Sequence, residues 1–204
     1  MGVRTGKRRV EVDKDEKRKL IVESSRDLFA RFGLRKTTMD DIAAKCRMGK
    51  ATLYYYFKNK EDIFRAVIDE EGRLFKERME EALSKETTPR DKLRAFVLTR
   101  VVYIKELTNY YSTMRDEYLQ HYAFIERERL KFNDWEIQTV QSILDEGIQQ
   151  GVFSKFDSRL TATAIVFALK GLEYPWTVDQ DVIDIERAVD LTLPVLFNGI
   201  EKRD

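Results

Sequence analysis

Glycine and proline are scarce in this chain, so few positions can interrupt a regular helix. Only 9 glycines and 3 prolines occur among its 204 residues, which is about half of the usual share. Sandwiches and barrels depend on many turns, and glycine and proline supply most of them. The chain is long enough to bury a core without metal or disulfide support. The sequence therefore predicts an all-α protein built from long helices.

The residue types present exclude several classes of protein. The single Cys46 rules out an intrachain disulfide, and the single His121 removes the usual histidine-built metal sites and catalytic triads. The G-x-S-x-G, Walker and H-E-x-x-H motifs are also missing from the sequence. We therefore expect no enzyme activity, no metal and no cofactor. Because no run of about 18 apolar residues occurs, we expect a cytoplasmic protein with no membrane partner.

Charge is divided unevenly along the chain. Residues 1–60 carry a net charge of +9, whereas residues 61–204 carry a net charge of −8. An overall charge of +1 conceals this asymmetry. The division indicates a basic N-terminal module that meets a polyanion, joined to an acidic body with a different task.

Apolar residues recur at helical spacing along most of the sequence, with polar, glycine and proline breaks between the segments. The predicted helices are Asp15–Phe32, Met39–Cys46, Lys50–Phe57, Lys60–Lys85, Asp91–Leu107, Tyr110–Gln120, Tyr122–Gln150, Asp157–Tyr174 and Ile185–Asn198. Pro194 lies inside the last helix and is expected to kink or shorten it. Residues 1–14 are polar, basic and aperiodic, which predicts a flexible arm.

The second and third predicted helices are short and are joined by only three residues. Two such helices after a supporting helix are typical of a helix-turn-helix, whose second helix lies in the major groove of DNA. The segment TTMDDIAAKCRMGKATLYYYFKNKEDIF resembles the signature of the TetR-type (tetracycline-repressor-like) family. The residues that fall in register with that signature are Thr38, Ile42, Ala43, Thr52, Leu53, Tyr54, Tyr56, Phe57, Lys60 and Glu61. The resemblance is sharp for about Lys17–Phe64 only.

The turn departs from the family pattern, which usually has glycine in the turn and serine before the recognition helix. This chain has Arg47 and Gly49 there. Either Arg47 adopts a left-handed conformation, at a cost of about 1 kcal/mol, or Gly49 takes up the turn instead. The two possibilities place the start of the recognition helix differently.

The resemblance implies that the helix-turn-helix, assigned to residues 15–60, binds a double-stranded DNA operator. Recognition helices read base edges with their N-terminal residues, here Lys50, Ala51 and Thr52. Lys50 suits guanine, and Ala51 or the Thr52 methyl suits a thymine methyl. The expected DNA-binding residues are Thr38, Lys50, Ala51, Thr52, Tyr54, Tyr55, Tyr56 and Lys60.

Four residues in this set have other expected roles. Tyr54 and Tyr56 are expected to donate hydroxyls to phosphates, and Tyr55 to contact a base or sugar. Lys60 adds charge to a helix terminus that already favours phosphate, and Thr38 can act in the same way from the second helix. The alternative for the tyrosines is core packing, although adjacent residues of one helix cannot all face inward.

The basic arm has two possible roles. Its cations can follow the DNA backbone or enter a minor groove, or they can form a solvated tail that adds only electrostatic attraction. Glu11, Asp13, Asp15 and Glu16 interrupt the basic run, so both roles stay open.

The resemblance implies that the body, residues 61–204, dimerises and senses a small molecule. Its aromatic density favours a hydrophobic or aromatic effector, oriented by a few polar groups. The expected lining residues are Phe75, Phe96, Arg100, Tyr103, Tyr110, Tyr118, His121, Tyr122, Trp135, Phe167 and Trp176. The alternative for each aromatic is the protomer's own core.

The last two predicted helices are apolar enough to pack against a second copy of the chain. A four-helix bundle across a two-fold axis is the natural arrangement. The expected dimerisation residues are Leu160, Ile165, Leu172, Val189, Leu193, Leu196 and Phe197.

The leading hypothesis is a homodimeric repressor that a small hydrophobic effector releases from a palindromic operator. Two alternatives are a regulator that acts as an activator and an effector-independent DNA-organising protein. An enzyme built on the helical body is the hypothesis with the least support, because the sequence lacks recognisable catalytic motifs.

Overall fold

A computed structural model describes the backbone of residues 4–110, 127–128, 130–178 and 185–200, and side chains over 14–107, 127–128, 130–171, 187–195 and 197. This part of the chain is all-α, as predicted. Its helices are α1 Arg4–Lys36, α2 Met39–Lys45, α3 Lys50–Tyr56, α4 Lys60–Ser84, α5 Pro89–Tyr110, α6 Asn133–Gln149, α7 Ser158–Val178 and α8 Ile185–Ile200. Within these ranges, every helix is too short or too polar to traverse a lipid bilayer.

Residues 4–14, which the sequence assigns to a flexible arm, belong to α1 in this structure, since this helix begins at Arg4. Helical geometry is broken near the other end of α1, where Gly33 adopts φ 80° and ψ 165°. Side chains rarely tolerate a positive φ, so glycine suits this position. The bounds of α2, α3 and α4 lie within one residue of their predicted positions.

The predicted helix Tyr122–Gln150 is not continuous in the described residues. A short 3₁₀ turn covers Leu130–Phe132, and α6 begins only at Asn133. The Phe132 ring lies against Gly72 of α4, where a Cβ atom would stand 2.0 Å from its Cζ atom. Close packing therefore explains the glycine inside α4. The predicted helix Tyr110–Gln120 lies outside the described residues.

Two prolines are accommodated inside helices. The helix α7 continues through Pro175 to Val178, four residues beyond its predicted end at Tyr174. Pro194 lies within α8, which is not shortened and runs to Ile200. Each proline removes one backbone donor, and the rest of the helix continues on either side.

The chain divides into two compact units: the N-terminal unit comprises residues 1–71 and 111–128, and the body unit comprises residues 72–110 and 129–204. In the N-terminal unit, α1 packs on α2 and α2 packs on α3. The rings of Phe29 and Phe64 meet edge to face, with centroids 5.2 Å apart. The core residues with essentially no exposure are Ile21, Phe29, Ile42, Leu53, Ile63 and Val67.

The body unit has a larger core, in which α5, α6, α7 and α8 pack together. The buried core residues here are Phe75, Met79, Leu93, Phe96, Val97, Val101, Tyr103, Val140, Ile143, Leu144, Phe153, Ala162, Ile165, Val166, Leu169, Val189, Leu193 and Phe197. An ion pair is also buried in this unit, since Arg100 Nε lies 2.7 Å from Glu136 Oε1.

Candidate nucleic-acid interface

The start of α2 is fixed by a reciprocal pair of hydrogen bonds. Thr38 caps the helix, its Oγ1 accepting from the Asp41 amide at 3.2 Å, while the Thr38 amide donates to Asp41 Oδ2 at 2.9 Å. The Thr38 hydroxyl also donates to this carboxylate, at 2.7 Å. These bonds hold the pKa of Asp41 below its usual value. Thr38, a predicted phosphate contact, thus uses its hydroxyl in this structure to orient α2.

The turn between α2 and α3 takes the first of the two predicted forms. Arg47 has φ 52°, whereas Gly49 has φ −68° and ψ 146° and stands at the N-cap of α3. The Met48 amide donates to Ala43 O at 3.0 Å across the turn. Because Gly49 provides no side-chain cap, the first amides of α3 are left for another acceptor. With Gly49 at the N-cap, the recognition helix begins at Lys50.

One face of α3 is anchored in the core and the rest faces outward. Leu53 has no exposed surface and Phe57, which follows the helix, is also buried. Tyr54 is 46% exposed and Tyr55 70% exposed. The remaining predicted base-reading residues, Lys50, Ala51 and Thr52, are exposed too, and Tyr56 is half-buried. The structure thus brings six of the predicted DNA-binding residues together on one short helix, five of them exposed.

Lys50 is not isolated on this surface. Its Nζ lies 2.7 Å from Asp40 Oδ1, and both side chains are more than half exposed. This hydrogen bond raises the pKa of the Lys50 ammonium. Asp40, which is not among the predicted DNA-binding residues, therefore positions the first residue of the recognition helix. Its carboxylate competes with a DNA acceptor for the charge and the N–H donors of this ammonium.

The role predicted for Lys60 is corrected by its contacts. Its Nζ donates to three backbone carbonyls near the end of α1: Leu34 O at 2.7 Å, Arg35 O at 3.0 Å and Thr37 O at 3.1 Å. An ammonium has three N–H donors, so these bonds use all of them. Lys60 joins the end of α1 to the start of α4 and has no donor left for a phosphate.

The N-terminal part of α1 also contacts the end of α3. The Lys14 ammonium lies 5.3 Å from the centroid of the Tyr55 ring, and the Arg18 guanidinium lies 4.5 Å from that of Phe57. The arm predicted from the sequence includes Lys14, so this contact was not predicted. Helical periodicity was the available signal, because residues 14 and 18 are four apart and share one face.

Cys46 lies at the inner side of α2 and is buried. Burial raises the pKa of its thiol, which keeps it protonated and unreactive. This agrees with the interpretation of Cys46 as a small core residue.

Some of the predicted effector-lining residues are packed in the body core, one is exposed, and the others lie outside the described residues. Phe75 packs against Tyr103 and Trp135, with ring centroids 5.1 and 5.9 Å apart. Phe96 is fully buried in the same core, and Arg100 is held by Glu136. Phe167 is 54% exposed and is therefore no lining residue of the protomer core. Tyr118, His121 and Tyr122, with the side chains of Tyr110 and Trp176, lie outside the described residues.

Four of the predicted dimerisation residues are corrected as well. Ile165, Val189, Leu193 and Phe197 are buried in the protomer's own core and cannot also face a partner. Leu160 is exposed, as a dimerisation residue requires. The side chains of Leu172 and Leu196 lie outside the described residues.

Comparison with known proteins shows what the N-terminal part of this chain is similar to. Residues 21–67 match the model for bacterial regulatory proteins of the tetR family. The chain is 26% identical to a probable acrEF/envCD operon repressor of Escherichia coli, over 82% of this chain and 79% of the relative. A transcriptional regulator from Cytophaga hutchinsonii superposes with a TM-score of 0.76 at 26% identity, covering 90% of this chain and 98% of the other.

A further similar structure contains a ligand. The transcriptional regulator FadR from Bacillus subtilis, solved in complex with stearoyl-CoA, superposes with a TM-score of 0.70 at 24% identity. The similarity covers 89% of this chain and 98% of that chain. At this level of identity the comparison shows a shared fold.

Proposed function

We propose that this chain, a TetR-type DNA-binding transcriptional regulator, is a homodimeric repressor. In this proposal a small hydrophobic effector releases it from a palindromic operator. The observation that carries the proposal is the exposed surface of α3, whose polar and aromatic side chains project from a helix anchored by buried Leu53. Such a surface fits the major groove.

The base-reading residues in this proposal are Lys50, Ala51 and Thr52, with Tyr54 and Tyr55 contacting phosphate, sugar or base. Tyr56 contributes less, because its side chain is half-buried. Lys60 and Thr38 act indirectly by fixing the ends of α1 and α2. The similarity to a probable operon repressor favours repression over activation.

The proposed dimer surface lies on the exposed apolar faces of α7 and α8. On α7, Leu160 is 67% exposed, and Phe167, seven residues later, falls on the same helical face. On α8, Leu191 and Val195 are four residues apart, and both are exposed. Clusters of exposed apolar side chains are costly in water unless a partner covers them. A second copy of the chain, related by a two-fold axis, would cover them.

The proposed effector is an apolar molecule that binds among the body helices near Phe75, Tyr103 and Trp135. The stearoyl-CoA complex of a protein with the same fold makes a long-chain acyl compound a suitable first probe. The helix α4 contributes residues to both units. Effector binding that alters α4 would change DNA affinity, and linkage requires DNA to change effector affinity by the same factor.

The test begins with selection of binding sites by the purified full chain from a pool of randomised duplexes. We expect an inverted repeat with half-sites about one helical turn apart, bound by two protomers. Ala51→Gly and Thr52→Ala are expected to change base preference within the half-site. Failure to enrich any sequence, or one protomer on a single half-site, would overturn the proposal.

The dimer and the effector need separate measurements. Phe167→Glu should yield monomers in sedimentation experiments, whereas the matched change Gln138→Glu, on an exposed site of α6, should not. Stearoyl-CoA should lower affinity for the selected duplex, and the duplex should lower affinity for stearoyl-CoA equally. Binding of stearoyl-CoA without this reciprocal loss would exclude the proposed release mechanism.

A further inference from the structure

A buried side-chain amide at the start of α6 has an unsatisfied oxygen. Asn133 is 7% exposed, and its Oδ1 atom accepts no hydrogen bond from any residue that the structure describes. An acceptor that is buried without a partner destabilises a protein, so such a group calls for an explanation. We propose that Asn133 is the polar contact of the effector site and accepts a hydrogen bond from a neutral O–H or N–H group of the ligand. This inference rests on the proposed effector binding and specifies its chemistry.

Helix capping does not explain this residue. Asparagine is a favoured N-cap residue, because its side-chain oxygen accepts from the first free amides of a helix. In α6, however, Phe132 occupies the N-cap position with helical backbone angles and provides no side-chain cap. Asn133 lies one residue further on, inside the first turn of the helix. Its oxygen is therefore left for a donor from elsewhere.

The residues that flank Asn133 form an apolar surface that a ligand can cover. Leu130 is 51% exposed, and the side chains of Phe132 and Trp135 are half-buried. The ammonium of Lys76, on α4, lies 5.4 Å from the centroid of the Phe132 ring and 5.2 Å from that of the Trp135 ring. This end of α6 therefore offers apolar and aromatic contacts beside one buried acceptor, which is the composition of a small-molecule site.

The same turn of α6 borders the aromatic residues of the proposed effector site. Trp135 lies two residues after Asn133, and its ring centroid is 5.9 Å from that of Phe75. Glu136 lies three residues after Asn133, so the two share a face of the helix. Glu136 is also buried, and its charge is balanced by Arg100. The buried polar groups on this face are thus a compensated ion pair and an acceptor that lacks a donor.

These groups discriminate among possible ligands. The Asn133 Oδ1 atom can accept but cannot donate, so it repels a carboxylate and favours an O–H or N–H group. The Lys76 ammonium disfavours a cationic donor at the flanking rings, because like charges repel. A ligand with an apolar body and one neutral donor, such as an alcohol or an amide, fits these groups best.

The experiment compares an alcohol with a compound that lacks its donor. 1-Octanol has a hydroxyl donor, whereas its methyl ether keeps the oxygen and has no donor. Calorimetry measures the affinity of both compounds for the full chain, for Asn133→Leu and for the matched control Gln138→Leu, which replaces an exposed amide of the same helix. Thermal melting of the three proteins without ligand gives a second measurement.

We expect the wild type and Gln138→Leu to bind 1-octanol about tenfold more tightly than its methyl ether, because the ether leaves the Asn133 oxygen without a donor. Asn133→Leu should bind the two compounds equally. Without ligand, Asn133→Leu should melt about 2–4 °C above the wild type, since an unsatisfied buried acceptor has been removed. Gln138→Leu should melt close to the wild type.

Equal affinity of the wild type for the alcohol and the ether, or no binding of 1-octanol, would overturn the inference. A preference for the alcohol that persists in Asn133→Leu would also overturn it. A lower melting temperature of Asn133→Leu would overturn it by assigning Asn133 a structural role.

These measurements use no DNA, so they are independent of duplex selection. Failure of the chain to enrich any duplex would contradict the proposed function. Release from DNA by stearoyl-CoA, with no preference between the alcohol and the ether, would leave the proposed function intact and remove only this inference.

Discussion

The two units use charge in opposite ways. In the N-terminal unit, the ion pair of Lys50 with Asp40 lies on the surface, and the Lys60 ammonium binds backbone carbonyls. In the body unit, Arg100 and Glu136 are 1% and 6% exposed and pair inside the core. Surface charge remains available to a polyanion, whereas a buried pair is shielded from one. DNA binding should therefore respond to changes in the first unit and stability to changes in the second.

The largest expected effect is on the buried pair. Arg100→Met should destabilise the body unit by about 3–5 kcal/mol, because Glu136 is left buried without its charge partner. The double variant Arg100→Met/Glu136→Leu should recover most of this loss. Urea unfolding, monitored by tryptophan fluorescence, measures this loss of stability, since Trp135 and Trp176 both belong to the body unit. If Arg100→Met alone lowered the free energy of unfolding by less than about 1 kcal/mol, the buried pair would not matter for the stability of the body unit.

The next effect tests whether Lys60 is structural. Lys60→Met should lower the stability of the N-terminal unit by about 2 kcal/mol, through the loss of charge-assisted hydrogen bonds to α1. The salt slope of DNA binding should stay unchanged. Thermal melting and binding titrations are compared with Lys58→Met, an exposed lysine two residues away. Unchanged stability with a salt slope lower by about one would restore the phosphate contact predicted from the sequence.

A smaller effect is expected at the packing of α4 in the body unit. Gly72→Ala gains about 1 kcal/mol of helix propensity, but its Cβ would overlap the Phe132 ring. Overpacking costs about 1–3 kcal/mol, so we expect a net loss of about 1 kcal/mol. The double variant Gly72→Ala/Phe132→Leu should separate these contributions in urea unfolding. Equal losses with and without the Phe132 ring would show that overlap is not the cause.

The smallest effect on stability is expected at Asp40. Asp40→Asn should leave the melting temperature nearly unchanged, because its ion pair with Lys50 is exposed. It should increase affinity for mixed-sequence duplex several-fold and steepen the salt slope by about one per protomer, since Lys50 can then bind a phosphate. Glu80→Gln, an exposed change of equal charge in the body unit, is the control. Equal slopes for both variants would show that Asp40 does not restrain Lys50.

The N-terminal unit was predictable because its geometry depends on neighbours in sequence. Thr38 caps α2 through Asp41, three residues later, and Asn59 Oδ1 accepts from the Asp62 amide at 2.8 Å in the first turn of α4. Such short-range signals fix where helices begin. The choice between Arg47 and Gly49 could not be made, because either residue can form the turn.

The body unit was less predictable because its interactions join distant parts of the chain. Arg100 and Glu136 are 36 residues apart, and nothing local indicates that they pair. In α7, both faces are apolar, with Ile165 buried and Phe167 exposed. Periodicity cannot decide which apolar face belongs to the protomer and which is available to a partner. The long α1 was missed because its basic residues lack an apolar pattern.

The contacts of Lys60 hold the two ends of the segment 38–59 close together. The segment leaves α1 near Thr37 and returns at Lys60, whose ammonium binds the Thr37 carbonyl. Its start and finish are therefore held together independently of the side chains that project from α3. A segment of this kind can be exchanged as a cassette, provided that Ile42 and Leu53 still fill the core. New DNA specificities could then be transplanted into this chain while the body unit is left unchanged.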